Sequence, residues 1–224
     1  MRNIPSKTSE EIYEDMCVKI EKLEYMPGEK LSENELCKIY QVTRHVVRNA
    51  LSHLKGRNLV EVYPQRGTYV SLIDMEYIQD ILYVREAVEQ EALARIMHMS
   101  DKTVIVQRMR LAIKAQTELK EDNKYHENFY VLDSVFHQCL LEAIGRQNVT
   151  KLINESYIHI RRWKNFEIRT PERLEGIVRE HEALVNAIEN GDAAAARECL
   201  HHHLDSVNLY SKGLREKEPE YFTE

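Results

Sequence analysis

From Thr68 to Ile144 the chain contains neither glycine nor proline, and no other feature narrows its possible folds so far. Proline removes a backbone donor and clashes with the preceding helical turn, and glycine inside a helix costs roughly 1 kcal/mol relative to alanine. A stretch of this length without either can run as long uninterrupted helices, and a loop-dominated all-β chain is excluded. Breakers are scarce throughout, with 7 Gly and 5 Pro in 224 residues. Pro27, Gly28, Gly56, Pro64 and Gly67 punctuate the first third, and breakers return sparsely at Gly145, Pro171, Gly176, Gly191 and Gly213. The chain therefore divides into a punctuated N-terminal part and a helical remainder.

The composition, 43% hydrophobic and 30% charged, is that of a soluble globular protein rather than a disordered one. No apolar run approaches the roughly 18 residues that span a bilayer, and the start of the chain has no apolar signal region. The expectation is a cytoplasmic protein with no membrane partner. Cys17, Cys37, Cys139 and Cys199 are scattered without C-x-x-C spacing and read as reduced thiols.

The N-terminal part reads as three helices and a strand pair. Apolar residues at helical spacing run from about Glu10 to Leu23, and Pro27-Gly28 makes a turn. Ser32 and Glu35 fit a capping box that opens a short helix to Tyr40. Thr43 is a good N-cap for a helix running to about Asn58. Leu59–Tyr63 and Thr68–Leu72 alternate as strands around Pro64-Gln65-Arg66-Gly67, with glycine at the tip. Two short helices, a tight turn and a hairpin make a winged helix-turn-helix.

Charge separates the two parts. The total is −6, yet residues 1–72 carry 11 Lys+Arg against 10 Asp+Glu, which leaves −7 for residues 73–224. Within 43–70 the basic residues Arg44, Arg48, Lys55, Arg57 and Arg66 face one acidic residue, Glu61. That footprint suits a DNA phosphate backbone, although helix-turn-helix modules also make protein contacts.

Residues 75–216 read as six helices, about 75–98, 102–121, 125–144, 147–167, 172–190 and 192–212, packed as an antiparallel all-helical bundle. The fold class is thus mainly α. On the third of these helices Phe129, Leu132, Phe136, Leu140 and Ile144 form an apolar face, from which Asp133 and His137 also project. His181 lies in the stripe of Ile177, Leu184 and Ile188. His203 shares the inward side of Ala196, Leu200, Val207 and Tyr210, whereas His201 and His202 point away. Buried carboxylates and imidazoles need partners. Each of these groups can be a hydrogen-bonded core residue, or Asp133, His137, His181 and His203 can together share a divalent metal. Arg85 can capture a ligand carboxylate bidentately or form a salt bridge to Glu89. His159, Arg162 and Trp163 are further candidates for a pocket wall.

The residues also carry a resemblance. Met26-Pro27-Gly28-Glu29-Lys30-Leu31-Ser32-Glu33-Asn34-Glu35-Leu36, then Val42-Thr43-Arg44, Val47-Arg48, Ala50-Leu51 and Leu59-Val60, then Pro64-Gln65-Arg66-Gly67-Thr68-Tyr69-Val70, resemble the GntR family of bacterial transcription regulators. The helical part resembles the FadR-type branch and its metal-binding FCD effector domain: Asp133-x-x-Phe136-His137, Glu180-His181-x-x-Leu184, and Gly191-Asp192 with Ala196-Arg197 and His203-Leu204. Where the family often has Ser-Arg-x-Pro, this chain has Thr43-Arg44-His45-Val46.

The resemblance implies a metabolite-responsive repressor, not an enzyme, that acts as a homodimer on a palindromic double-stranded DNA operator. Its domains would be residues 1–72 and residues 75–214; residues 215–224, charged and Pro-containing, read as a flexible tail. DNA contacts would come from Thr43 and Arg44 at the recognition-helix N-terminus, His45, Arg48 one turn on, and Arg66-Gly67 at the wing tip. The FCD pattern implies that Asp133, His137, His181 and His203 hold zinc, nickel or manganese, with zinc first. It also places Arg85 against the carboxylate of a small organic acid effector.

Two other readings remain open at the level of sequence. A metalloenzyme on the bundle is disfavoured because H-E-x-x-H is absent and the one Glu-x-x-His is Glu198…His201. An acyl-CoA sensor is disfavoured because such a regulator need not carry the metal set.

Overall fold

The computed structural model describes residues 7–119, 125–168 and 171–223. Residues 1–6 of the expected first domain, the end of the expected helix 102–121 and Glu224 lie outside them. The backbone forms two compact units, one running to Asp74 and including the segment from Glu218 onward, the other spanning Met75–Lys217. No helix of the described residues is long and apolar enough to cross a membrane.

In the first unit α1 (Ser9–Glu21) is started by a reciprocal cap: Glu11 N–H donates to Thr8 Oγ1 at 3.2 Å, and Thr8 N–H donates to Glu11 Oε2 at 2.7 Å. Its Ile12, Met16 and Ile20 are fully buried. The two-residue strand β1 (Lys30–Leu31) leads into α2 (Glu33–Tyr40). Ser32 Oγ accepts from Glu35 N–H at 3.4 Å, which realises the capping half of the box expected there. Gln41 adopts a left-handed φ of 55° at the C-cap, and this makes the tight turn into α3 (Arg44–Gly56). Helix α3 buries Val47, Ala50, Leu51 and Leu54, so its opposite face looks outward. Tyr40 O–H donates to Asp15 Oδ2 at 2.6 Å and Lys19 lies 2.8 Å from the same oxygen, pinning α2 to α1.

The wing consists of β2 (Val60–Tyr63) and β3 (Gly67–Val70), antiparallel with Tyr63 opposite Gly67. Gly67 is therefore the first residue of β3, with φ +113°, and the tip is formed by Pro64, Gln65 and Arg66. Gln65, inside the tip, takes a left-handed conformation with φ 60°. Strand β1 was not legible, because two residues show no alternation. It pairs with the free edge of β3, giving the sheet order β1-β3-β2.

The end of the chain differs from the expected flexible tail. Beyond Glu218, Pro219–Tyr221 form a 3-10 turn and Phe222 bridges Ile73. Ile73 N–H donates to Tyr221 O at 2.8 Å and Thr223 N–H to Ile73 O at 3.1 Å. The charged composition conceals one aromatic anchor: Phe222 and Ile73 are both buried, and removing them from water offsets the cost of ordering the segment.

The second unit is a helical bundle of α4 (Met75–Met97), α5 (Thr103–Glu118), α6 (Tyr125–Ala143), α7 (Gln147–Glu167), α8 (Pro171–Glu189) and α9 (Ala193–Lys217). Helix α5 packs on α6 and α8, α9 on α8 and α4, and α7 on α6. Gly145 and Gly191 take left-handed φ values of 69° and 73° at the α6–α7 and α8–α9 turns. Phe129, Phe136 and Leu140 from α6 meet Ile177, Leu184 and Ile188 from α8 and Ala196 and Leu200 from α9 in one core, all fully buried. At about 1.5–3 kcal/mol for each large side chain, this burial dominates what holds the bundle together. Tyr210, expected inward, is 41% exposed and lies against the Arg173 guanidinium, 4.0 Å from its ring centroid.

Candidate DNA interface and metal centre

The outward face of α3 carries the residues singled out for DNA. Thr43, Arg44, His45 and Arg48 are all exposed. Thr43 is the N-cap by position, yet its hydroxyl makes no capping bond, so a phosphate can take it together with the helix N-terminus. Arg48 is already engaged: its Nε donates to Glu33 Oε1 and Oε2 at 3.1 and 3.0 Å. His45 Nε2 lies 3.3 Å from Asn49 Nδ2. On the wing, Arg66 is exposed with its guanidinium 5.9 Å from the Tyr63 ring. A Cβ on Gly67 would come within 3.1 Å of Lys30 Cε, so glycine lets the Lys30 side chain lie along the wing. Lys30 is exposed beside the wing.

In the bundle α6, α8 and α9 bring Asp133, His137, His181 and His203 together. One ligand atom from each lies within 4.8 Å of all the others, and all four residues are buried. The i, i+4 spacing of Asp133 and His137 sets both on one face of α6. Phe136, beside them, stacks on His181 with ring centroids 3.8 Å apart.

The orientation of each imidazole is fixed from behind. His137 Nδ1 lies 2.7 Å from Glu89 Oε2 of α4, and His203 Nδ1 lies 2.8 Å from Glu180 Oε2 of α8. His181 Nδ1 lies 2.9 Å from Gln116 Oε1 of α5. With Nδ1–H donating to these acceptors, each Nε2 keeps its lone pair, a tautomer assigned from the network. The Nε2 atoms converge: His137 and His203 are 3.1 Å apart there, and His181 and His203 are 3.4 Å apart. Asp133 Oδ1 completes the group at 3.6 Å from His181 Nε2 and 3.9 Å from His137 Nε2. That oxygen is buried without a hydrogen-bond partner among the described residues. An orphaned carboxylate oxygen facing three lone pairs is a donor set that fits a divalent cation.

The electrostatics agree with that donor set. Burial pushes the His181 and His203 imidazoles below their ordinary pKa, His203 to about 4, so both rings are neutral donors near neutral pH. Burial works to raise Asp133, but His137, Lys164 and Arg85 outweigh it and hold the carboxyl well below its usual range. Glu89 is likewise opposed by burial yet drawn down to about 2 by His137 and Arg85.

Arg85 takes the salt-bridge alternative and also lines the site. Its Nε donates to Glu89 Oε1 at 2.8 Å, and its Nη2 is 4.0 Å from Asp133 Oδ2. A cavity of about 30 Å³ opens beside the cluster, bordered by Arg85, Asp133, His137, Tyr157, Arg161 and Lys164 among others. The α7 wall differs from expectation. Tyr157, Ile160, Arg161 and Lys164 face the cavity, whereas His159, Arg162 and Trp163 are buried elsewhere. His159 packs edge-on against Tyr77, 5.0 Å between centroids. The spacing 157, 160, 161, 164 is one helical face, and the apolar Ile160 among charged residues was its only sequence signal. His201 and His202 point outward as expected, with His201 paired to Glu86 at 2.7 Å. Glu89, Gln116 and Glu180 carried no functional mark in the residue pattern itself.

Comparison with known proteins places this geometry. Residues 8–70 match the model of bacterial regulatory proteins of the gntR family, and residues 80–206 match the FCD domain. An HTH-type transcriptional regulator in an unstable DNA locus of Streptomyces ambofaciens is 31% identical over 201 residues, covering 89% of this chain and 83% of the relative. The HTH-type transcriptional repressor RspR of Escherichia coli is 26% identical, with 88% and 86% covered. Among solved structures, a GntR transcriptional regulator from Rhodococcus sp. RHA1 superposes with a TM-score of 0.74 at 19% identity, covering 92% of this chain and 97% of that one. The architecture, the two domain matches and the relatives agree: the chain belongs to the GntR family of bacterial transcriptional regulators, with an FCD domain following its winged helix-turn-helix.

Proposed function

We propose that the protein is a repressor that binds a palindromic operator as a homodimer, and that its FCD bundle holds a divalent metal and senses a small organic acid. The observation that carries this reading is the convergence of three imidazole Nε2 atoms and one orphaned carboxylate oxygen, each imidazole oriented from behind by Glu89, Gln116 or Glu180. Zinc suits neutral imidazole and carboxylate donors; nickel and manganese accept the same set. When bound, the metal supplies a Lewis-acidic centre that attracts an anion. Asp133, His137, His181 and His203 would hold it, and the adjoining cavity, with Arg85 in its wall, would take the effector.

On the DNA side, Thr43 and the α3 N-terminus would take a phosphate, Arg44 and His45 would reach base edges, and Arg66 with Gly67 would enter the minor groove. Arg48 would exchange Glu33 for a phosphate. Two copies related by a two-fold axis would place their recognition helices in successive major grooves of a palindrome. The repressor reading is supported by the name of the RspR relative.

Selection of bound sequences from a random DNA pool, with the particle mass measured on and off DNA, tests this reading. A two-fold symmetric site bound by two copies is the expected result, and its affinity should shift when a small acid is added to metal-loaded protein. An asymmetric site bound by one copy, or no selection at all, would contradict it.

A further inference from the structure

Helix α3 turns Val47, Ala50, Leu51 and Leu54 into the core of its unit. At about 100° per residue, the direction opposite to these four passes between His45 and Asn49, with Ser52 a turn beyond. All three are exposed. Arg44 and Arg48 lie to one side of that line, by roughly 110° and 70°. The bond from Arg48 to Glu33 identifies this side as the flank next to α2. His53 lies on the other flank, where its Nδ1 is 3.4 Å from Glu10 Oε2 of α1. A helix seated in the major groove turns its outward centre to the base edges and its flanks to the phosphates. A long arginine can reach a base from the flank, but a short side chain can do so only from the centre. His45 and Asn49 hold that centre.

Asn49 is also prepared for one kind of base. Its Nδ2 lies 3.3 Å from Nε2 of His45, one helical turn back. An amide nitrogen can only donate in this contact, so Nε2 accepts and the ring proton sits on Nδ1, a tautomer assigned from the network. The amide keeps one N–H and its Oδ1, neither with a partner among the described residues. One donor and one acceptor match the major-groove edge of adenine, whose N7 accepts and whose N6 amino group donates. Guanine presents two acceptors there and would set its O6 against Oδ1. The contact with His45 limits rotation of the amide, so less freedom is lost on binding. No carboxylate stands on α3 to repel the duplex.

We propose that Asn49 is a specificity-determining residue that reads an adenine in the major groove, with His45 as the positioning residue that orients its amide. This inference rests on the DNA reading above and deepens it by naming a base.

The test starts from the double-stranded sequence that the full-length wild type selects from a random DNA pool. Each base pair of that site is replaced in turn by the others, and affinities are read by fluorescence anisotropy. The wild type is expected to prefer adenine at one position by about 5–100-fold. Asn49→Ala should bind every pair there within about threefold of the others, with the salt dependence of the wild type. 7-Deazaadenine at that position, which lacks the N7 acceptor, should weaken the wild type by about three- to tenfold and leave Asn49→Ala unchanged. His45→Ala should lower the adenine preference at the same position by at least about threefold. An Asn49→Ala protein that keeps the preference, or is as sensitive to 7-deazaadenine as the wild type, overturns the proposal. So does a selected site with no adenine preference, or a shallower salt slope in Asn49→Ala, which would make Asn49 a phosphate contact. An undiminished preference in His45→Ala overturns the role given to His45. A wild type that selects no sequence defeats the operator reading itself, and this inference with it.

Discussion

The Nε2 atoms of His137 and His203 face each other at 3.1 Å, while Nδ1 of each ring is held by a carboxylate, Glu89 at 2.7 Å and Glu180 at 2.8 Å. If both Nδ1 atoms carry the proton, two lone pairs meet in a buried core. A shared proton or a cation relieves that contact. Burial pushes His203 down to about 4, which disfavours a proton on that ring near neutral pH.

The residues behind the histidines should therefore govern metal affinity. Glu180→Gln and Glu89→Gln are expected to lower it by about 10–100-fold without changing the ligands themselves. Competition against a chelator measures this, and affinities equal to wild type would show that the rings need no support. Glu180→Gln is the cleaner test, because Glu89 also neutralises Arg85.

On α3, Arg44 is exposed and Arg48 is held by Glu33. Arg44→Ala should cost about 1–3 kcal/mol of operator binding and relax the preference at one base pair. Glu33→Gln should release Arg48, strengthen binding to unrelated DNA and steepen its salt dependence by about one unit of slope. Fluorescence anisotropy across a salt series reads both effects. An unchanged slope in Glu33→Gln would mean that Arg48 does not reach phosphate.

The C-terminal segment should stabilise the unit that carries the DNA-binding residues. Phe222→Ala removes a buried ring beside Ile73 and is expected to cost about 3 kcal/mol. Amide exchange at Ile73 and in β3 should accelerate accordingly. Exchange rates unchanged from wild type would show the contact to be incidental.

Asp15 should link this unit to pH. Burial opposes its ionisation, but bonds from Lys19 and Tyr40 outweigh burial and lower the folded pKa. A depressed carboxyl contributes stability above its unfolded pKa, near 3.9, and loses it as pH falls through the lower folded value. Asp15→Asn should therefore speed exchange in α1 at pH 7 and make little difference at about pH 2. An effect of equal size at both pH values would contradict the assignment.

Much of this was legible in the sequence, for identifiable reasons. The long segment free of Gly and Pro yielded the bundle, and the helical period selected His203 over His201 and His202. The supporting shell was hidden because an interior Gln116 or Glu89 looks like any polar residue until another helix supplies its partner. Lys164 was missed because α7 is polar around much of its circumference, so its inward face was placed at His159, Arg162 and Trp163. Strand β1 was too short to show a period, and Phe222 was masked by its charged neighbours.

The most direct measurement is elemental analysis of the purified protein beside Asp133→Ala/His181→Ala, with helical content recorded for both. The account predicts one equivalent of a divalent transition metal in the wild type and none in the folded double variant. A folded variant with full occupancy, or a wild type that retains no metal after incubation with zinc, nickel or manganese, would contradict it.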